Sequence, residues 1–93
     1  MKKTALKFDL SNTIDIVGIL ETIDRMKDTG LLFKVNCRDG SHKTPREIKE
    51  IKLNDYYIVF NEKIDVPSIT LKEANGTYKI YADSIKNIEV YIK

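Results

Sequence analysis

Asn75-Gly76 stands between two alternating apolar runs, Ser68–Ala74 and Thr77–Ala82, and this pair constrains the chain more than any other short stretch. Both central residues of a type I′ turn need positive φ, which Asn and Gly tolerate best. Counting outward from that turn predicts Lys72 opposite Lys79, Leu71 opposite Ile80, Thr70 opposite Tyr81 and Ile69 opposite Ala82. Side chains alternate across a strand, so Ile69, Leu71, Ile80 and Ala82 should share the core face, with Thr70, Lys72, Lys79 and Tyr81 on the outer one. A polar turn over 83–87 leads to a last strand, with Ile88, Val90 and Ile92 predicted inward and Glu89, Tyr91 and Lys93 outward. The expected unit is three-stranded and antiparallel. A hairpin alone is marginally stable in water, so the upstream chain must cover its apolar face.

The upstream chain offers that cover. Leu6, Phe8 and Leu10 alternate with Lys7 and Asp9, which predicts a first strand. Ser11-Asn12-Thr13 supplies N-cap candidates, and Asp15 would fall in the first turn, where the helix dipole favours an acid. A helix is predicted over about 13–29, with Ile16, Ile19, Leu20, Ile23 and Met26 on one arc and Gly30 as its left-handed stop. Ile14, Ile16, Gly18 and Leu20 also alternate, so a strand is the alternative, which would make the domain a small all-β SH3-like barrel. Leu31–Cys37 reads as a strand with Leu31, Phe33, Val35 and Cys37 on one face. Thr44-Pro45-Arg46-Glu47 has the form of a capping box with Pro at the first helical position, predicting a short second helix over about 45–52 that buries Ile48 and Ile51. Tyr56–Phe60 is a strand by composition, and Asn61–Pro67 a connector that is extended in part. The fold class expected is α+β, with an antiparallel-rich sheet and one amphipathic helix packed on one face, in a single domain over 1–93. At this length a second core has no room.

Composition removes several functions. A formal net charge of +2 is too small to argue for nucleic acid by itself. The basic start is followed by Lys7 and Asp9 rather than an apolar stretch, and no run reaches membrane-spanning length, so no signal peptide and no membrane partner are expected. Cys37 stands alone, which excludes an internal disulfide and a multi-Cys metal site. The reading is an intracellular, cytoplasmic protein with no metal and no cofactor.

Two groups of residues draw attention as sites. Arg38, Ser41, His42, Lys43, Thr44 and Arg46 crowd a polar loop that would run into the N-terminus of the second helix, where free N–H groups favour an anion. Together with Lys72 and Lys79 they form the candidate anion or nucleic-acid surface, and basic residues among aromatics are how sheets hold single strands. The second group is Tyr56, Tyr57, Tyr81 and Tyr91, a candidate interaction surface, since Tyr is enriched at interfaces. Catalysis has little support. Cys37 shares the apolar parity of Val35 and Phe33, and His42 is the sole histidine, so no catalytic residues are expected. The leading expectation is therefore a small non-catalytic module that binds another protein through a sheet face or edge, or pairs with a second copy in a symmetric homodimer. The alternatives are a module for RNA or single-stranded DNA, and a binder of a small anionic ligand.

Overall fold

A computed structural model describes residues 4–11 and 14–92. In chain order the elements are β1 (Thr4–Asp9), α1 (Ile16–Met26), β2 (Leu32–Cys37), β3 (Ile48–Lys52), β4 (Tyr56–Val59), β5 (Glu62–Asp65), β6 (Ser68–Glu73), β7 (Gly76–Tyr81) and β8 (Ile85–Tyr91), with a 3-10 turn at Ala82–Ser84. All pairing is antiparallel, in the orders β1-β8-β2, β3-β6-β7 and β4-β5. Beyond a tight turn after β2, the chain runs back beside that strand. There Phe33 and Arg46 exchange both backbone hydrogen bonds, at 2.7 and 3.1 Å, and Lys43 N–H donates to the Val35 carbonyl. This stretch leads into β3, so the two larger sheets are continuous through the β2–β3 connection. The α+β reading holds, with one helix among the described residues.

That helix is residues 16–26, which settles the ambiguity of 14–29. The N-cap candidates Asn12 and Thr13 lie outside the described residues, and Asp15 takes the capping position instead. Its carboxylate accepts from the Gly18 N–H at 3.0 Å. Gly18 is required for this fit, because a Cβ there would overlap the capping carboxylate. Leu20 and Ile23 are fully buried, and Ile16, Ile19 and Met26 pack against the core, as the arc predicts. Full burial of each such side chain is worth about 1.5–3 kcal/mol, far more than helix propensity supplies over eleven residues. Gly30 does adopt positive φ (+83°), but Asp28 (+69°) turns the chain first.

The second helix predicted over 45–52 is absent, and β3 occupies that stretch. The reason lies in a β-bulge. Ile48 pairs with Leu71 and Ile51 with Ile69, so Lys49 is the extra residue. A bulge lets residues three apart face the core together, and that spacing imitates a helical period. The same device recurs in β8. Its pairing with β2 shifts between Asn87 and Ile85, and Ile85 and Ile88 are both fully buried. Strand β8 therefore starts at Ile85, inside the stretch expected to be a turn.

The three-stranded unit expected from the C-terminal third is also corrected. After β7 the 3-10 turn, with Ala82 buried, redirects the chain, and β8 pairs with β1 and β2 rather than with β7. The β6–β7 register differs as well. Glu73 faces Gly76, so Ala74 and Asn75 form the turn. Neither has positive φ, and that demand falls on Gly76 at +137°. The shift of two positions preserves parity, so Leu71 (0 % exposed) and Ile80 (6 %) remain inside. Lys72, however, now faces Thr77, and Lys79 faces Thr70. The like-charge opposition expected between the two lysines does not exist.

Candidate interaction surface

Strands β4 and β5 pair only with each other and form a finger. Val59 faces Glu62, so Phe60 and Asn61 make its two-residue turn. Both have positive φ, +49° and +63°, as the type I′ turn demands. Asn tolerates this conformation. A bulky aromatic residue does not, and the left-handed region costs it roughly 1–2 kcal/mol. Phe60 is nonetheless 94 % exposed, with Ile58 at 59 % and Val59 at 42 % beside it. No burial offsets the strain.

The base of the finger is held by polar contacts. The Asp55 carboxylate accepts from Ser68 Oγ at 2.6 Å, from Lys79 Nζ at 2.9 Å and from the Tyr56 N–H at 2.8 Å, while its carbonyl accepts from the Val66 N–H. These donors, the Ser68 hydroxyl first and then Lys79, hold its carboxyl well below the ordinary carboxylate range. Asp55 in turn raises the Lys79 pKa. On the other side, Tyr57 Oη donates to Asp83 Oδ2 at 2.6 Å, which raises the phenol's pKa. The Tyr57 ring meets Tyr81 edge-on at 5.1 Å, and Tyr81 Oη donates to the Tyr56 carbonyl at 3.0 Å. The finger is thus anchored at one end and apolar at the other.

The structure gathers Tyr56, Tyr57 and Tyr81 at the finger base and adds Lys79 to them. Tyr91 does not join. It is 8 % exposed, and its strand is central, paired on both sides, so β8 offers no free edge. Its outward parity was read correctly, but flanking strands cover it. Ile92, expected inward, is 56 % exposed past the end of the strand.

The basic loop loses the feature that made it suggestive, because no helix begins after Thr44. Instead Arg38–Ser41 is a tight turn, in which Asp39 accepts from the Ser41 N–H at 2.9 Å and from its hydroxyl at 2.6 Å, depressing the Asp39 pKa. His42 bridges to Asn36 across the hairpin, and Thr44 is exposed. Lys43 lies 3.7 Å above the Tyr78 ring and 3.5 Å from Glu73. Arg46 lines a groove with Leu32, Glu47, Lys72 and Glu73, in which Lys72 pairs with Glu47 at 3.5 Å. Carboxylates therefore already stand against Lys43, Lys72 and Lys79.

Asp55, Ser68, Ile58, Val59 and Phe60 are the residues that sequence reasoning did not single out. The signal was a run of five residues, Tyr56–Phe60, with no polar break. Such a run is either buried on both faces or thrust into the open, and only long-range packing decides between these. Among the described residues no group of three or more His, Cys, Asp or Glu could hold a metal ion, and no helix is long and apolar enough to cross a membrane. Compared with protein-family models, curated proteins and solved structures, the chain matches none.

Proposed function

We propose that this chain is a small, non-catalytic protein-interaction module whose contact point is the tip of the β4–β5 finger. One observation carries the reading: Phe60 stands 94 % exposed in a strained left-handed conformation, at the end of a hairpin whose base is fixed by the Asp55 and Tyr57 contacts. Apolar side chains grouped at a protruding tip favour a partner that buries them. A fixed base lowers the ordering cost of binding, because the tip is already in place.

The test is site-specific photo-crosslinking in the source cell, with a benzophenone side chain at position 60 and a control at exposed Lys49 on β3. The reading expects a discrete protein adduct from position 60 and none from the control. Equal labelling, or no adduct at 60, would count against it. An adduct of twice the chain's mass would identify a second copy as the partner. An adduct that disappears on nuclease treatment, with binding that falls steeply with salt, would favour the nucleic-acid reading instead.

A further inference from the structure

We propose that the groove between the first turn of α1 and the finger receives an apolar peptide segment flanked by Lys or Arg, supplied by the partner protein; this rests on the finger being the contact surface. Val17 on α1 and Leu53, Tyr56 and Val66 around the finger base give the groove an apolar lining. Val17 is 46 % exposed and Tyr56 49 %, so this lining is open to solvent. The parity of β4 places Ile58 on the same face as Tyr56, extending the apolar strip toward Phe60.

Charge selects the occupant. Residues 14–30 and 54–67, which contribute the helix wall and the finger wall, hold seven carboxylates and three cations. Their net charge is −4 within a chain of net +2, so the remaining residues carry +6. Asp65 lines the finger wall, and Asp15 caps the helix two residues before Val17. Lys63, the one cation of the finger, is already drawn over the Tyr56 ring at 4.9 Å and toward Asp65 at 3.7 Å. An apolar strip with an acidic surround is complementary to an apolar segment with basic flanks, and repels one with acidic flanks. It equally disfavours an anionic lipid surface, toward which these walls carry charge of the same sign.

The experiment is selection of a phage-displayed library of random 12-residue peptides on the full chain. Enriched peptides, made synthetically, are then titrated against wild type, Val17→Asp and Asp65→Lys by fluorescence anisotropy. The expected consensus has two or more large apolar residues with Lys or Arg on either side. Val17→Asp should weaken binding at least tenfold and Asp65→Lys several-fold, and added salt should weaken wild-type binding. No enrichment, an acidic consensus, or affinities unmoved by both variants would overturn the proposal. Circular dichroism of each variant confirms that it folds, and Asp65→Lys alters an exposed position, so it keeps the test valid if Val17→Asp does not fold. The two readings fail separately. If position 60 crosslinks to protein in cells while Val17→Asp leaves those adducts unchanged, the groove assignment alone is wrong. If position 60 gives no adduct, the finger reading itself is lost.

Discussion

The two hairpins of this chain, β6–β7 and β4–β5, are built from similar β-rich sequence and end up with opposite relations to water. In β6–β7 one face is core: Ile69, Leu71 and Ile80 are buried, and β3 flanks the pair. The positive φ falls on a glycine, Gly76. In β4–β5 no third strand joins, Ile58, Val59 and Phe60 are exposed, and the positive φ falls on a phenylalanine and an asparagine. The first hairpin is held by apolar burial along its length. The second is held only at its base, by a carboxylate and tyrosine hydroxyls. Stability and exposure have been assigned to different hairpins, and that separation frees the finger tip for contact.

The sharpest way to break this comparison is to truncate one apolar side chain in each hairpin. Leu71→Ala, at a fully buried position, should cost about 2–5 kcal/mol. In a domain whose whole stability is of order 5–15 kcal/mol, that is a large share. Ile58→Ala, at a position 59 % exposed, should stay within about 0.5 kcal/mol. Urea unfolding of the three proteins measures both. Similar losses would show that the finger is not an exposed element.

The second difference concerns acid. Asp55 has a folded-state pKa well below the unfolded carboxylate value of about 3.9. A depressed pKa contributes stability that is complete above the unfolded value and is lost as pH falls through the folded one. Asp55→Asn should therefore be less stable than wild type at pH 7, and the gap should close progressively below about pH 4. Amide hydrogen exchange should show the loss concentrated in β4 and β5, because Asp55 ties the finger base to Ser68 and Lys79. A gap that persists at pH 2, or a loss spread evenly over β8, would contradict the pinning role.

These effects also show what could be read from the chain beforehand. The core face of β6–β7, the buried arc of α1 and the inward face of β2 follow from periodicity, because alternation and the 3.6-residue repeat survive in the residues themselves. What failed were the places where a bulge changes the period. Ile48 and Ile51 look helical only because Lys49 is extra, and Ile85 looked like turn because Lys86 is extra. The hairpin turn at Asn75-Gly76 was located to within one residue, and its type was missed because Gly76 takes the unusual φ just after the turn proper. Of the proposed sites, the grouping of Tyr56, Tyr57 and Tyr81 was legible, since all three lie on strands. The pairing of Lys79 with Asp55, twenty-four residues apart, was not. Long-range polar contacts leave no local pattern.

The smallest effects sharpen the contrast between the two turns, and they have opposite signs. Gly76→Ala places a Cβ at φ +137° with no neighbour within 4 Å, so the loss, about 1 kcal/mol or more, would come from the backbone alone. Phe60→Asn replaces a side chain that is 94 % exposed with one suited to φ +49°. It should raise stability by about 0.5 kcal/mol, since it relieves strain and removes no buried surface. Differential scanning calorimetry at matched scan rate resolves shifts of this size, because 1 kcal/mol moves Tm by roughly 4–8 °C in a domain this small. A stabilised Phe60→Asn that also loses the partner adduct would show that the aromatic residue is kept at the tip for binding, at the expense of the fold. A destabilised one would mean that Phe60 packs against the domain, and the tip would then have nothing apolar left to offer at its end.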